Sequence, residues 1–237
     1  MSQDECKALL ALDPVPPQDQ VRYGPHPSQV IDLYGESASK GRVVLLHGGF
    51  WRQEWDRAHL SPFAAALAGH GMRVALVEYR RLGDGGGWPA TVEDVDAALS
   101  RLGAPVSVLF GHSAGGYLAL WAAAKRDRAA GRVVVAAPVA DLARAHELRL
   151  DDGVVADFLG GEDAVEGRLW DADPMRLLPR IPVEILHGTA DAEVPIELSR
   201  RYANNWGGRL HLLPGVGHYA PITPRTPAFD VLVRSLR

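Results

Sequence analysis

The 237-residue chain has a single cysteine, Cys6, so no internal disulfide can staple it and the fold must rest on packing. Cys6 lies in a polar N-terminal segment without a neighbouring histidine, which argues against a thiol nucleophile. Positive charge is also scarce. Lys and Arg number 25 against 29 Asp and Glu, for a net charge of −4, whereas a nucleic-acid surface needs clustered cations. The pairs Arg80-Arg81 and Arg200-Arg201 are too short to provide one. No run approaches the roughly 20 apolar residues that span a bilayer. The first dozen residues are acidic and lack a basic stretch followed by an apolar one, so a signal peptide is not expected and the cytoplasm is the expected compartment. Neither H-E-x-x-H nor C-x-x-C occurs, and the sequence calls for no metal or other cofactor.

What the chain does have is a regular alternation of apolar runs and amphipathic segments. With 47% hydrophobic and 23% charged residues over this length, a single domain spanning 1–237 can bury a large core. Prolines 14, 16, 17, 25 and 27 mark residues 1–27 as an N-terminal arm, extended across the surface. Gln29–Tyr34 alternates weakly and reads as an edge strand. Arg42–His47 and Met72–Val77 are near-continuous apolar runs, the pattern of strands buried on both faces, and Val106–Phe110, Arg132–Ala137, Pro182–His187 and Arg209–Leu213 read as further strands.

Helical spacing fills the gaps between these runs. Leu60, Phe63, Ala64 and Leu67 recur at i, i+3, i+4 and i+7, and Val92, Val95, Leu99 and Leu102 form a second stripe, with Thr91 and Asp94 as its start signal. Ala114–Lys125, Ile196–Trp206 and the C-terminal segment complete the set. This order predicts an α/β fold with a mainly parallel, twisted sheet of about eight strands and helices on both faces. Residues 141–179 break the alternation and contain no strand, so they are expected to form a small helical cap. The glycines of Gly83–Gly87 lack the Lys and Ser or Thr of a phosphate-binding loop, and are read as a loop before the Thr91 helix.

One motif carries chemistry. Gly111-His112-Ser113-Ala114-Gly115 fits G-x-S-x-G, with an apolar strand running in and a small-residue helix running out. That context matches a sharp turn presenting a serine nucleophile, with flanking glycines where a side chain would clash. A serine hydroxyl needs a base, and the base needs an orienting acid. Gly188-Thr189-Ala190-Asp191 follows one late strand, and Pro214-Gly215-Val216-Gly217-His218 follows the next. Ser113 is therefore the expected nucleophile, His218 the base and Asp191 the acid, with Glu193 and Asp141 as alternative acids. His47-Gly48-Gly49-Phe50 ends the first buried strand. It resembles the His-Gly-Gly element of lipases and esterases, and that resemblance implies an oxyanion hole formed by the N–H of Gly49 or Phe50 with that of Ala114. His47 is read as structural, and Trp51 as a wall for substrate.

These elements resemble the α/β-hydrolase superfamily from about Tyr23 onward. His47-Gly48-Gly49-Phe50-Trp51, Gly-His-Ser-Ala-Gly-Gly and the upstream Tyr23-Gly24 with Gln29–Tyr34 resemble kynurenine formamidases (arylformamidases) and related small carboxylesterases. Phe50 stands where many formamidases carry tyrosine, so a role for that phenol is absent. The resemblance implies an α/β-hydrolase fold and hydrolysis of a formyl or acetyl group from a small-molecule aryl amide or ester, while charge and hydropathy argue against a nucleic-acid or membrane partner. A general carboxylesterase is the nearest alternative. A peptidase of this fold usually carries a further large domain, and a non-catalytic binding module would not keep every triad position filled.

Overall fold

Successive residues of the central apolar runs go to opposite faces of one sheet, which is why those runs have no polar side. The outermost run, Arg209–Leu213, leaves Arg209 and Leu212 exposed. Val43 and Leu45 pack on one face with Phe63, Leu67, Phe229 and Leu232. Val44 and Leu46 pack on the other with Val95, Leu99, Tyr117 and Leu118. The computed structural model describes residues 2–38, 41–103 and 105–237. Its strands are β1 (Asp19–Arg22), β2 (Val30–Tyr34), β3 (Arg42–Leu46), β4 (Arg73–Val77), β5 (Val106–His112), β6 (Arg132–Ala136), β7 (Val183–Gly188) and β8 (Arg209–Leu213). They form one eight-stranded sheet in the order β1-β2-β4-β3-β5-β6-β7-β8. The β1–β2 and β2–β4 pairs are antiparallel, and every later pair is parallel.

The helices are α1 (Ser2–Leu10), α2 (Ser61–Gly69), α3 (Ala90–Leu102), α4 (Ala114–Lys125), α5 (Leu142–Glu147), α6 (Leu150–Phe158), α7 (Val165–Ala172), α8 (Ile196–Trp206) and α9 (Pro227–Leu236). α2 and α9 cover one face, while α3, α4 and α8 cover the other. Residues 141–179 are helical and contain no strand, and their buried Val154, Val155 and Phe158 join the α4 side of the core. Among the described residues, no helix is long and apolar enough to cross a membrane.

Three sequence expectations need correction. The N-terminal arm is not simply extended, because it contains α1 and the edge strand β1. Pro14, Pro16 and Pro17 fall between those two elements, and Pro25 and Pro27 fall in the turn between β1 and β2. β2 is therefore not an edge, and all five of its residues are buried between β1 and β4. Thr91 and Asp94 do not cap α3, which begins at Ala90 after Pro89 without a side-chain cap. Thr91 Oγ1 instead accepts the Gly87 N–H at 2.9 Å and donates to the Arg80 carbonyl at 2.7 Å. Asp94 accepts both the backbone N–H and the guanidinium of Arg80. Both side chains fasten the 80–87 loop, where the buried backbone polar groups outcompete a helix end for them.

Candidate active site

The turn between β5 and α4 leaves no room for side chains beside its serine. A Cβ on Gly111 would stand 2.1 Å from the Gly115 carbonyl oxygen, and one on Gly115 would stand 2.1 Å from that of Leu46. Glycine at both positions lets strand, turn and helix touch backbone to backbone. Ser113 takes φ +55° and ψ −118°, a conformation that costs a non-glycine residue on the order of 1–3 kcal/mol. The surroundings hold it there. Its N–H donates to the Ala136 carbonyl at 3.0 Å, and its carbonyl accepts from Tyr117 and Val139 at 3.2 Å each.

His218, 1% exposed, faces the same cavity from the loop after β8. Its Nδ1 lies 2.7 Å from Asp191 Oδ2, so Nδ1–H donates to the carboxylate and Nε2 keeps its lone pair. Asp191 sits just beyond β7. Its Oδ1 accepts the N–H groups of Glu193 and Val194, both at 2.9 Å, and Oδ2 also lies 3.3 Å from His187 Nε2. Burial alone would push this carboxyl up, but the hydrogen bonds from His187 and His218 outweigh it and hold it well below the usual carboxylate range. The alternative acids are placed otherwise. Asp141 caps α5 through the Arg144 N–H and pairs with Arg201. Glu193 lines the cavity, but it is the Asp191 carboxylate that reaches the histidine ring.

The loop after β3 rests directly on the serine: a Cβ on Gly48 would stand 3.0 Å from Ser113 Cβ. Gly49, Phe50 and Trp51 follow with φ of +106°, +49° and +58°. A Cβ on Gly49 would lie 2.2 Å from Trp55 Cβ, so glycine serves both the turn and the tryptophan packed on it. Ala114 is the first residue of α4, where a helix N–H has no intrahelical acceptor.

Buried charge anchors this loop from behind. His47 Nε2 donates to Glu78 Oε1 at 2.9 Å, and Tyr79 stacks on the imidazole at 4.3 Å. Burial pushes the Glu78 carboxyl up, yet His47, Arg81 and the Arg57 N–H outweigh it and bring it down to about 2.

Ser113, His218, Gly49 and Phe50 all line one cavity of about 160 Å³. Trp51 is not brought to it. The ring is 1% exposed and stacks on Phe158 at 4.3 Å and edge-on to Tyr117 at 5.2 Å, because the positive φ at Trp51 turns the chain back into the core. Trp55, four residues on, lines the cavity instead.

Sequence reasoning also missed His59, His112, Tyr219, Ile222 and Asp151, and the α1 residues Cys6, Leu9 and Leu10, as parts of the cavity wall. The α1 wall had a signal, since Cys6, Leu9 and Leu10 share an i, i+3, i+4 face. The two histidines are held neutral. Burial, then the nearby His218, keeps His112 well below its ordinary value, and burial with His47 brings His59 down to about 4. Among the described residues, no cluster of three or more His, Cys, Asp or Glu could hold a metal ion.

Residues 43–229 match the sequence model described as the alpha/beta hydrolase family. No curated protein sequence matches the chain significantly. Among solved structures, esterase B from Lactobacillus rhamnosis in a tributyrin phosphonate complex is similar, with a TM-score of 0.78 at 20% identity over 99% of this chain and 89% of that one. An acetyl ester-xyloside bifunctional hydrolase from Caldicellulosiruptor lactoaceticus has a TM-score of 0.73 at 20% identity, covering 93% and 94% of the two chains. A truncated carbohydrate esterase from gut microbiota scores 0.71 at 20% identity, covering 95% and 98%. At that identity the likeness is one of fold.

Proposed function

Because the chain belongs to the alpha/beta hydrolase family, we propose that it is a serine hydrolase in which Ser113, His218 and Asp191 cleave a small acyl group from an ester or aryl amide. One observation carries this reading: the 2.7 Å hydrogen bond from His218 Nδ1 to the buried Asp191 carboxylate, behind a histidine that lines the same cavity as Ser113. Ser113 Oγ attacks the acyl carbonyl while His218 Nε2 takes its proton, and Asp191 stabilises the imidazolium. The carbonyl electrons move onto the oxygen, which the N–H of Ala114 and that of Gly49 or Phe50 receive. Collapse expels the alcohol or amine with the proton from His218. Water then repeats the sequence and frees the acid.

The size and lining of the cavity support a short acyl group. Phe50, Trp55, Leu9 and Ile222 are apolar walls around a volume of about 160 Å³. The resemblance to arylformamidases makes an N-formyl aryl amide such as N-formyl-L-kynurenine the specific candidate. A second reading, a general small carboxylesterase, is favoured by a different observation. Among the described residues the cavity wall includes Asp151 and Glu193 and no Lys or Arg, and the nearby Arg52 is already paired with Asp151, which disfavours a substrate carboxylate.

A substrate panel separates the two. Formyl and acetyl esters are expected to exceed butyryl by at least ~10-fold in kcat/KM, since each misfit methylene costs about 1–3 kcal/mol. N-formyl-L-kynurenine outpacing p-nitrophenyl acetate supports the formamidase. Its neglect beside rapid acetyl ester hydrolysis supports the esterase, and a preference for octanoyl esters contradicts both.

A further inference from the structure

The loop that carries His218 has a second support besides Asp191, and it comes from the other end of the chain. Glu5, on α1, presses its carboxylate against three backbone N–H groups around the histidine. Gly217 donates to Oε1 at 2.8 Å, and Tyr219 and Ala220 donate to Oε2 at 3.0 and 3.1 Å. All three donors lie within two residues of His218. The fit requires glycine at 217, because a Cβ there would stand 2.6 Å from Glu5 Oε2 and 2.9 Å from Glu5 Cδ. Four residues further along α1, Leu9 is buried in the core beneath. The helix is thus docked, and its carboxylate is directed at the loop.

We propose that Glu5 is a positioning residue for His218, fixing the backbone on both sides of the histidine and thereby setting where Nε2 stands relative to Ser113. The inference rests on reading His218 as the general base. Asp191 holds the ring at one atom, Nδ1, about which the imidazole can still swing. The His112 ring adds one contact, from Nε2 to the His218 carbonyl at 3.0 Å. Glu5 adds three charge-assisted hydrogen bonds, which are stronger than neutral ones and share a single acceptor group. A base displaced by about 1 Å loses on the order of 10²-fold in rate, so a clamp on the loop backbone is worth measuring as kcat.

The test compares wild type with Glu5→Ala, Glu5→Gln, Gly217→Ala and the double variant Glu5→Ala/Gly217→Ala, with Lys7→Ala on the exposed side of α1 as control. The readouts are kcat and KM on p-nitrophenyl acetate, thermal midpoint, and amide hydrogen exchange. Glu5→Ala is expected to lower kcat by ~10- to 100-fold and change KM by less than ~3-fold. Glu5→Gln keeps one acceptor oxygen and should fall between Glu5→Ala and wild type. Gly217→Ala should mimic Glu5→Ala by expelling the carboxylate. The double variant should then be no worse than Glu5→Ala alone, because the two changes break one contact. Exchange should quicken at residues 217, 219 and 220 while the strands stay protected.

Unchanged kcat in a folded Glu5→Ala protein would overturn the proposal. So would additive losses in the double variant, or exchange that quickens evenly across the whole sheet. A wild-type protein that neither hydrolyses esters nor takes label at Ser113 would instead sink the serine-hydrolase reading. The exchange data would then still decide whether Glu5 holds the loop.

Discussion

Ser113 and His218 line one cavity but are held there by unlike means. The serine is fixed by backbone against backbone: two glycine positions where a Cβ would stand 2.1 Å from a carbonyl oxygen, and a strained φ of +55° that only this packing sustains. The histidine is fixed by side chains from distant segments: Asp191 at Nδ1, His112 at the carbonyl, and Glu5 at the flanking amides. A sterically locked turn fails all at once when altered. A loop held by separate hydrogen bonds should fail by degrees.

The largest expected effect comes from removing the charge that orients the base. Asp191→Asn should lower kcat by about 10⁴-fold, because the amide favours the wrong imidazole tautomer and no longer stabilises the imidazolium. Glu193→Gln and Asp141→Asn should cost less than about 10-fold, measured on the same ester. Greater damage from either one would move the acid to that residue.

Next is the turn itself. Gly115→Ala forces a Cβ to within 2.1 Å of the Leu46 carbonyl, a backbone contact that cannot give way. Such overpacking typically costs about 1–3 kcal/mol in stability, and here it should be joined by a near-complete loss of activity. Activity retained in a Gly115→Ala protein would show that the turn is less tightly fixed than the histidine loop, reversing the comparison.

The smallest effect concerns the anchor behind the His47 loop. Glu78 has its carboxyl brought from about 4.5 down to about 2, so it contributes stability that is full above about pH 4.5 and lost as pH falls through 2. The shift corresponds to about 3 kcal/mol. In urea melts between pH 5 and pH 2, Glu78→Gln should start less stable than wild type and show a shallower loss across that window. Parallel curves for the two proteins would contradict the assignment.

The elements legible in the sequence were those set by local pattern. The runs from Arg42 and Arg132 became buried parallel strands almost to the residue, and Ala114–Lys125, Ile196–Trp206 and Arg209–Leu213 kept the bounds their spacing predicts. The serine turn was legible for the same reason, since its glycines and its serine are contiguous. The cavity wall was not. The sequence singles out Trp51 as the substrate wall, but the run of positive φ over Gly49, Phe50 and Trp51 accompanies a Trp51 packed in the core, and Trp55 lines the cavity instead. Nothing local in the sequence separates Glu5 from the polar arm around it, because the backbone groups it holds lie more than 200 residues away. The role of Thr91 and Asp94 was lost likewise, to a demand from the 80–87 backbone that has no sequence spacing of its own.

The account depends most on Ser113 being the nucleophile that His218 activates. Incubating wild type and Ser113→Ala with a fluorophosphonate probe, then locating the adduct by peptide mass spectrometry, tests this directly. The account predicts a stoichiometric adduct on Ser113 in wild type. In Ser113→Ala it predicts no adduct and kcat lower by at least about 10³-fold, in a protein that still folds. An adduct on another residue, or a Ser113→Ala protein that keeps its activity, would contradict it.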